Sequence, residues 1–381
     1  MPSKNWITRN PGGKNRVIVT KDLPGQLWLD RLTAADCRVE ICTSNRLLNV
    51  AEIREAIGQS CRAVIGQLTE TWGRELLAAL KAAGGRIYSN MAVGFNNVDL
   101  ETASEIGLPV GNTPGVLTET TAETTAALTL GAARRIGEAE RFLRAGSFTG
   151  WLPGLFLGKL LWQQTLGVVG AGRIGTAYAK TMLQGHRMDL VYHSRHRSVE
   201  LERFVSAYNA FLRTEGQEPV SCWRAESLEE LLQTADVVSL HTPLNHSTRH
   251  LIDAGRLSLM KPEAVLINTS RGPVVDETAL VAHCRENPGF RAGLDVFEEE
   301  PNLKPGLADL ENVVLLPHIG SATDWTRRAM ATLAATNCAG LLLGYPLWSK
   351  DDMLPFLEQD PPRAIPSLVN PEVLNLEVTS Q

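Results

Sequence analysis

Hydrophobic side chains along this chain come in short β-forming runs, separated by stretches whose apolar positions recur every three or four residues. Between 15 and 112 the runs are RVIVT (16–20), VEICT (39–43), AVIGQ (63–67), RIYSN (86–90) and LPVGN (108–112). VAEIREAIGQ (50–59) and TWGRELLAALKAAGG (71–85) lie between them with helical periodicity, the second closed by a glycine pair suited to a C-cap. This alternation predicts a parallel sheet with helices on its faces. The stretch 118–146, TETTAETTAALTLGAARRIGEAERFLRAG, predicts one long helix linking two domains, followed by an aromatic, glycine-rich loop, SFTGWLPGLFLG (147–158).

A second series begins with TLGVVG (165–170) and continues through DLVYH (189–193), DVVSLH (236–241), AVLINT (264–269), FRAGLDVF (290–297) and VVLLPH (313–318). Six such runs with helical connections are what a doubly wound dinucleotide-binding domain requires. One connection is long and holds VELERFVSAYNAFLRTEG (199–216), whose apolar positions predict an amphipathic helix. From 325 a helix, WTRRAMATLAATNCAGLLLG, leads back out. The proline-rich tail EQDPPRAIPSLVNPEVLNL (358–376) reads as extended over the surface. The expected architecture is α/β with two doubly wound parallel-sheet domains. A cofactor domain at 121–324 is inserted into an outer substrate domain made of 1–120 and 325–381, with the cleft between them.

Composition narrows the class. The chain is 44% hydrophobic and 21% charged with a formal charge of −5, and a pI near 6.0 argues against a nucleic-acid partner. No uninterrupted apolar run reaches the length of a membrane span, so no membrane partner is expected. The six cysteines, at 37, 42, 61, 222, 284 and 338, form no CxxC pair and fit reduced thiols in a cytosol or organelle matrix. Lys4, Arg9, Lys14, Arg16 and Lys21 precede the first acid, Asp22, as in a transit peptide, but NPGGKN (10–15) interrupts any amphipathic helix there. The C-terminal VTSQ lacks the Ser-Lys-Leu peroxisomal address. No metal site is expected.

The chemistry begins at GVVGAGRIG (167–175). Gly170 allows a tight turn, Gly172 lets backbone approach a pyrophosphate, and Gly175 lets helix and strand pack closely, while the helix N-terminus offers N–H groups to the phosphates. An NAD site usually has an acid at the end of the second strand. Here Ser194 and Arg195 stand there instead, a hydroxyl and a guanidinium that suit a 2′-phosphate. The cofactor is therefore NAD(H) or NADP(H), leaning to the latter. Three further strand ends carry Arg271, a run of acids after LDVF, and His318, all on the carboxyl edge of the sheet where ligands bind. His241 reads as a strand-end residue near the cofactor.

These segments resemble the D-isomer-specific 2-hydroxyacid dehydrogenase family over nearly the whole chain. GVVGAGRIG, NTSRGPVVDETAL, GLDVFEEEP and LPHIGSAT match its signatures in order, and NMAVGFNNVD and GNTPGVLTETTAE match its outer-domain and hinge segments. The long insertion after the second strand and the tail GYPLW…PSLVN resemble the plant-type hydroxypyruvate reductases (glycerate dehydrogenases) within it.

The resemblance implies a Rossmann-type cofactor domain inserted into a flavodoxin-like substrate domain. It implies Arg271, Glu300 and His318 as the catalytic set. The expected cofactor contacts are Gly170, Gly172, Arg173, Ile174, Gly175, Ser194, Arg195, Thr269, Ser270, Asp295 and Gly320, with Asp295 on the nicotinamide side. Val93 and Gly94 would grip the substrate carboxylate through backbone N–H groups, alongside Arg271 and His318. Trp151 would reach a partner subunit's pocket or pack in a homodimer interface.

The implied reaction reduces a small 2-oxo acid, hydroxypyruvate or glyoxylate, to the 2-hydroxy acid. Arg271 would pair with the carboxylate and polarise the carbonyl. His318 would donate the proton, and Glu300 beside it would stabilise the imidazolium. A non-catalytic NAD-sensing protein of the corepressor kind, or another D-2-hydroxyacid dehydrogenase, is the alternative.

Overall fold

In the computed structural model residues 5–374 are described. Lys4 and the C-terminal VTSQ, part of the targeting reading, lie outside them. The chain divides into two compact units, 1–117 with 322–381, and 118–321. Each junction falls three residues before the expected boundary, at 117 against 120 and at 321 against 324.

The first unit opens with β1 (Trp6–Arg9), β2 (Asn15–Val19), α1 (Leu27–Ala34), β3 (Cys37–Cys42), α2 (Val50–Ile57), β4 (Ala63–Gly66), α3 (Arg74–Ala82), β5 (Ile87–Asn90), α4 (Leu100–Glu105) and β6 (Val110–Gly111). Its six-stranded sheet runs in the order β1-β3-β2-β4-β5-β6. Val17, Ile18 and Val19 are fully buried, as a strand covered on both faces requires. Trp72 stacks on Tyr88 at 3.9 Å in the core between the sheet and α2 and α3. The edge strand β1 was not foreseen. It pairs antiparallel with β3 and is too short and half-exposed to stand out as a hydrophobic run.

The second unit contains α5 (Thr118–Ala133), α6 (Ile136–Arg144), β7 (Thr165–Val169), α7 (Arg173–His186), β8 (Asp189–His193), α8 (Val199–Thr214), β9 (Cys222–Arg224), α9 (Leu228–Thr234), β10 (Val237–Leu240), α10 (Ala254–Leu259), β11 (Val265–Asn268), α11 (Glu277–Glu286), β12 (Arg291–Leu294) and β13 (Val313–Leu315). Its sheet is parallel throughout, in the order β13-β12-β11-β10-β7-β8-β9. The chain leaves β7 toward β8 and β9, then returns to β10 on the other side. That reversal makes the carboxyl ends of β7 and β10 the place where such sheets bind ligands.

Three expectations for the second unit need correction. The stretch 118–146 is two helices, because Arg135 turns left-handed at φ 57° and its guanidinium closes on Glu138 in the first turn of α6. The sheet has a seventh strand, β9, after α8. Strands β12 and β13 also end at Leu294 and Leu315, so Asp295 and His318 stand on loops past the sheet, where Pro317 has no N–H to continue the ladder.

The tail does not simply lie over the surface. Helix α12 (Asp324–Leu342) packs small residues on α1 and the first sheet, and the segment after it buries Phe356, Ile365 and Leu368 in the first unit. Asparagine side chains tie this segment to the sheet and to α12. Asn370 accepts from Val110 N–H at 2.8 Å, and buried Asn337 accepts from Ser367 N–H at 2.9 Å while donating to Asn112 C=O at 2.9 Å.

Candidate active site

The glycine turn between β7 and α7 has the geometry its sequence calls for. Gly170 sits at φ 97°, and a side chain there would meet the His241 carbonyl oxygen at 2.8 Å. A Cβ on Gly175 would lie 2.2 Å from the Gly170 oxygen, so helix and turn touch backbone to backbone. At Gly172, the residue capping α7, a Cβ would meet nothing within 4 Å. That open cap, with no acid in the first helical turn, fits a dinucleotide pyrophosphate. Arg173 is exposed and Ile174 half-buried beside it.

At the end of β8 the Ser194 hydroxyl donates to the His196 carbonyl, and Arg195 is exposed. The nearest acids on α8 are taken: Glu200 by Lys180 and Glu202 by Arg197 and Tyr192. Arg224, at the end of the unforeseen β9, donates through Nη2 to the carbonyls of Ser194 at 2.8 Å and Arg195 at 3.2 Å.

Beyond β11, Asn268 organises the next loop. Its Oδ1 accepts from Ser270 N–H at 3.0 Å and Oγ–H at 2.8 Å, and its Nδ2 donates to the Arg271 carbonyl at 2.9 Å. Asn268 was missed, although a buried amide ending the apolar run VLIN was visible. Thr269 is nearly buried, its hydroxyl 2.8 Å from that of Thr125 on α5. Arg271 donates through Nη1 to the Ser270 carbonyl at 2.6 Å. Burial pulls its pKa down, and the Glu300 charge works against that. Gly272 lets this loop press on the one after β12, since a Cβ there would lie 1.8 Å from the Phe297 carbonyl carbon.

The acid run is sorted by its partners. Glu298 accepts from or pairs with His250 at 2.6 Å, and Glu299 pairs with Lys304 at 2.5 Å. Glu300 turns the other way, with Oε2 2.8 Å from His318 Nδ1 and Oε1 accepting from Phe297 N–H at 3.0 Å. Burial pushes the Glu300 carboxyl up, but the bond and charge of His318, the Phe297 N–H and Arg271 together hold it below the usual range.

His318 itself is left-handed at φ 54°, an uncommon conformation for a residue with a Cβ. What holds it is Asp295, 1% exposed, whose two oxygens accept from Ile319 N–H and Gly320 N–H, both at 2.7 Å. Burial raises the Asp295 carboxyl, and those two N–H groups oppose the rise. His241 is different. Burial drops its pKa to about 3, and Nε2 lies 2.9 Å from Ser239 Oγ. Burial thus disfavours the imidazolium form that a general acid would need.

The second unit thus brings Arg271, Glu300, His318, Asp295 and Gly320 onto one sheet edge, with an imidazole–carboxylate pair able to move a proton. In the first unit, the carbonyls of Val93 and Gly94 accept from the side-chain amides of Asn112 and Asn90, both at 2.9 Å. Trp151 is 81% exposed in the loop after α6.

The model of the D-isomer specific 2-hydroxyacid dehydrogenase NAD-binding domain matches residues 126–320. The chain is 55% identical over 374 residues to glycerate dehydrogenase HPR, peroxisomal, of Arabidopsis thaliana, covering 97% of each. It is 56% identical over 369 residues to glycerate dehydrogenase of Cucumis sativus, covering 96% of this chain and 97% of that one. Among solved structures it resembles an NADPH-dependent glyoxylate/hydroxypyruvate reductase of Sinorhizobium meliloti in complex with NADP and malonate. That similarity has a TM-score of 0.66 at 32% identity, over 85% of this chain and 92% of the other. The chain belongs to the D-isomer-specific 2-hydroxyacid dehydrogenase family.

Proposed function

We propose that this enzyme reduces hydroxypyruvate to D-glycerate, and glyoxylate to glycolate, at the expense of NADH or NADPH. The observation that carries the reading is the His318–Glu300 pair, held beside Arg271 on the edge where the glycine turn anchors a dinucleotide. The plant glycerate dehydrogenases and the bacterial glyoxylate/hydroxypyruvate reductase supply the substrate class.

When bound, the reduced nicotinamide supplies a hydride to C2 of the 2-oxo acid. Gly170, Gly172, Arg173, Ile174 and Gly175 would hold the pyrophosphate, Ser194 and Arg195 the adenine ribose, and Thr269, Ser270, Asp295 and Gly320 the nicotinamide side. Arg271 grips the substrate carboxylate and polarises the carbonyl with its planar fork. His318 passes the proton on Nε2 to the keto oxygen, while Glu300 on Nδ1 fixes the ring and balances its charge. Val93 and Gly94 of the first unit would offer N–H donors to a carboxylate. Residues 1–120 and 325–381 serve the substrate, and 121–324 serve the cofactor.

The finer partner reading is a homodimer. Trp151, Leu152, Leu157 and Leu160, with Leu143 of α6, leave a run of large apolar side chains more than half exposed, more than a lone monomer usually shows in one place. Trp151 either packs in that interface or reaches the partner's pocket. Among the described residues no helix is long and apolar enough to cross a membrane. The six cysteines are free, five of them buried, which suits a reducing cytosol or organelle matrix.

The deciding experiment is steady-state kcat/KM for hydroxypyruvate and glyoxylate, each with NADH and NADPH. Turnover of hydroxypyruvate is expected. Tight NAD(H) binding with no turnover of either acid would favour a sensing protein instead.

A further inference from the structure

The structure assigns Arg224 as a second determinant of cofactor choice, one that clamps the Ser194–Arg195 turn and adds a guanidinium for a 2′-phosphate. The inference rests on the proposal that this turn faces the adenine ribose. Strand β9 runs parallel to β8 with Arg224 opposite Tyr192, and Ala225 N–H donates to the Tyr192 carbonyl at 2.9 Å. Arg224 therefore leaves the edge strand at the level where β8 gives way to Ser194. One nitrogen, Nη2, spans two successive carbonyls, of Ser194 and Arg195. Its bonds fix the direction of the turn, and Nη1 and Nε have no partner among the described residues.

Charge bookkeeping around the turn favours an anion. Glu202 is held by Arg197 and Tyr192. Glu229 is held by Arg256, and Glu230 is turned to the Trp223 indole and the Glu226 N–H. Among the described residues no carboxylate lies within ion-pair distance of Arg195 or Arg224. Two guanidiniums without a counter-ion sit at adjoining strand ends, one fixed by the other's backbone. A phosphomonoester on the ribose 2′ oxygen matches them as a doubly charged acceptor, whereas a 2′-hydroxyl gives them nothing to neutralise.

The test uses the cofactor-free enzyme and calorimetric titration with 2′,5′-ADP and with 5′-ADP, so that turnover plays no part. The wild type should bind 2′,5′-ADP the more tightly. Arg224→Ala should weaken 2′,5′-ADP by about ten- to a hundred-fold, the range of one charge-assisted hydrogen bond. Its affinity for 5′-ADP should change by no more than about three-fold, and Arg224→Lys should recover part of the loss. Thermal unfolding of both variants identifies any that fail to fold, and the lysine variant then carries the comparison.

Equal weakening of both nucleotides would make Arg224 a purely structural clamp and overturn the assignment, as would no change in either. If Arg195→Ala loses the preference for 2′,5′-ADP while Arg224→Ala keeps it, only the role of Arg224 fails. If the wild type shows no preference and Arg195→Ala changes nothing, the reading of the whole turn fails with it.

Discussion

His318 Nδ1 and Glu300 Oε2 lie 2.8 Å apart, joining two loops separated by eighteen residues of sequence. The bond occupies one ring nitrogen and leaves Nε2 as the atom that can reach a substrate. His318→Gln keeps a polar side chain of similar reach but has no proton to transfer. It should lower kcat by about 10²–10⁴-fold, the usual worth of positioned acid catalysis, while NAD(P)H binding measured by fluorescence holds. Near-normal turnover would remove His318 from the chemistry.

Much of this site could be read from local signals. Gly170, Gly172 and Gly175 lie where a strand meets a helix, Arg271 comes a few residues after the apolar run VLI, and His318 follows VVLLP directly. A site on the carboxyl edge of a parallel sheet is built from such junctions, so periodicity and punctuation find its members. What stayed hidden depends on tertiary partners. The break at Arg135 is the exception, since its left-handed turn and its bond to Glu138 are local, but the residue is neither Gly nor Pro and so carries no breaker signal. Strand β9 is three residues of edge, too short for any hydrophobic pattern, and Arg224 was lost with it. The backbone bonds of Asp295 to the turn after His318 also needed coordinates, since sequence alone marks only an acid after a strand.

Cofactor choice should follow the end of β8. Arg195 has no carboxylate partner among the described residues, and Ser194 replaces the acid that would repel a phosphate. NADPH should support measurable turnover. Arg195→Ala should raise the KM for NADPH about ten-fold or more, the worth of a lost charge-assisted bond, and change that for NADH far less. A wild type inert with NADPH would contradict the reading of this turn.

Behind the Glu300 loop lies a second carboxyl with a different consequence. Glu277, 1% exposed at the start of α11, accepts from Glu298 N–H at 2.8 Å through Oε1, while its buried Oε2 has no partner among the described residues. Burial raises its pKa from 4.5 to about 7. The Glu298 N–H and the charge of Lys304 work against the rise, and the charges of Glu298 and Glu300 add to it. Between those values the unfolded chain gives up this proton more readily than the folded one. Stability therefore falls as pH climbs from 4.5 to about 7 and levels off above that. Glu277→Gln removes this penalty. Its stability relative to wild type, from urea unfolding at pH 5 and pH 8, should improve by about 1–2 kcal/mol toward the higher pH, the linkage value reduced for solvent screening. A difference independent of pH would show that Glu277 ionises as an ordinary carboxylate.

Arg271 tests the site as a whole. Its loop is held by the amide of Asn268 and pressed against the Glu300 loop at Gly272, so the guanidinium is positioned by backbone on both sides. Lysine would keep the charge but lose the planar fork that can hold a carboxylate and polarise the neighbouring keto oxygen at once. Arg271→Lys should therefore raise KM and lower kcat together. Loss of a charge-assisted pair is worth about 1.5–3 kcal/mol, or roughly ten- to a hundred-fold in kcat/KM. Binding of NAD(P)H, followed by fluorescence, should barely change, because the dinucleotide is held mainly at the glycine turn. A variant that instead lost cofactor binding or unfolded, with kcat/KM intact in what stayed folded, would make Arg271 a structural residue. His318 and Glu300 would then have a proton to deliver and no anchor for the acid that receives it.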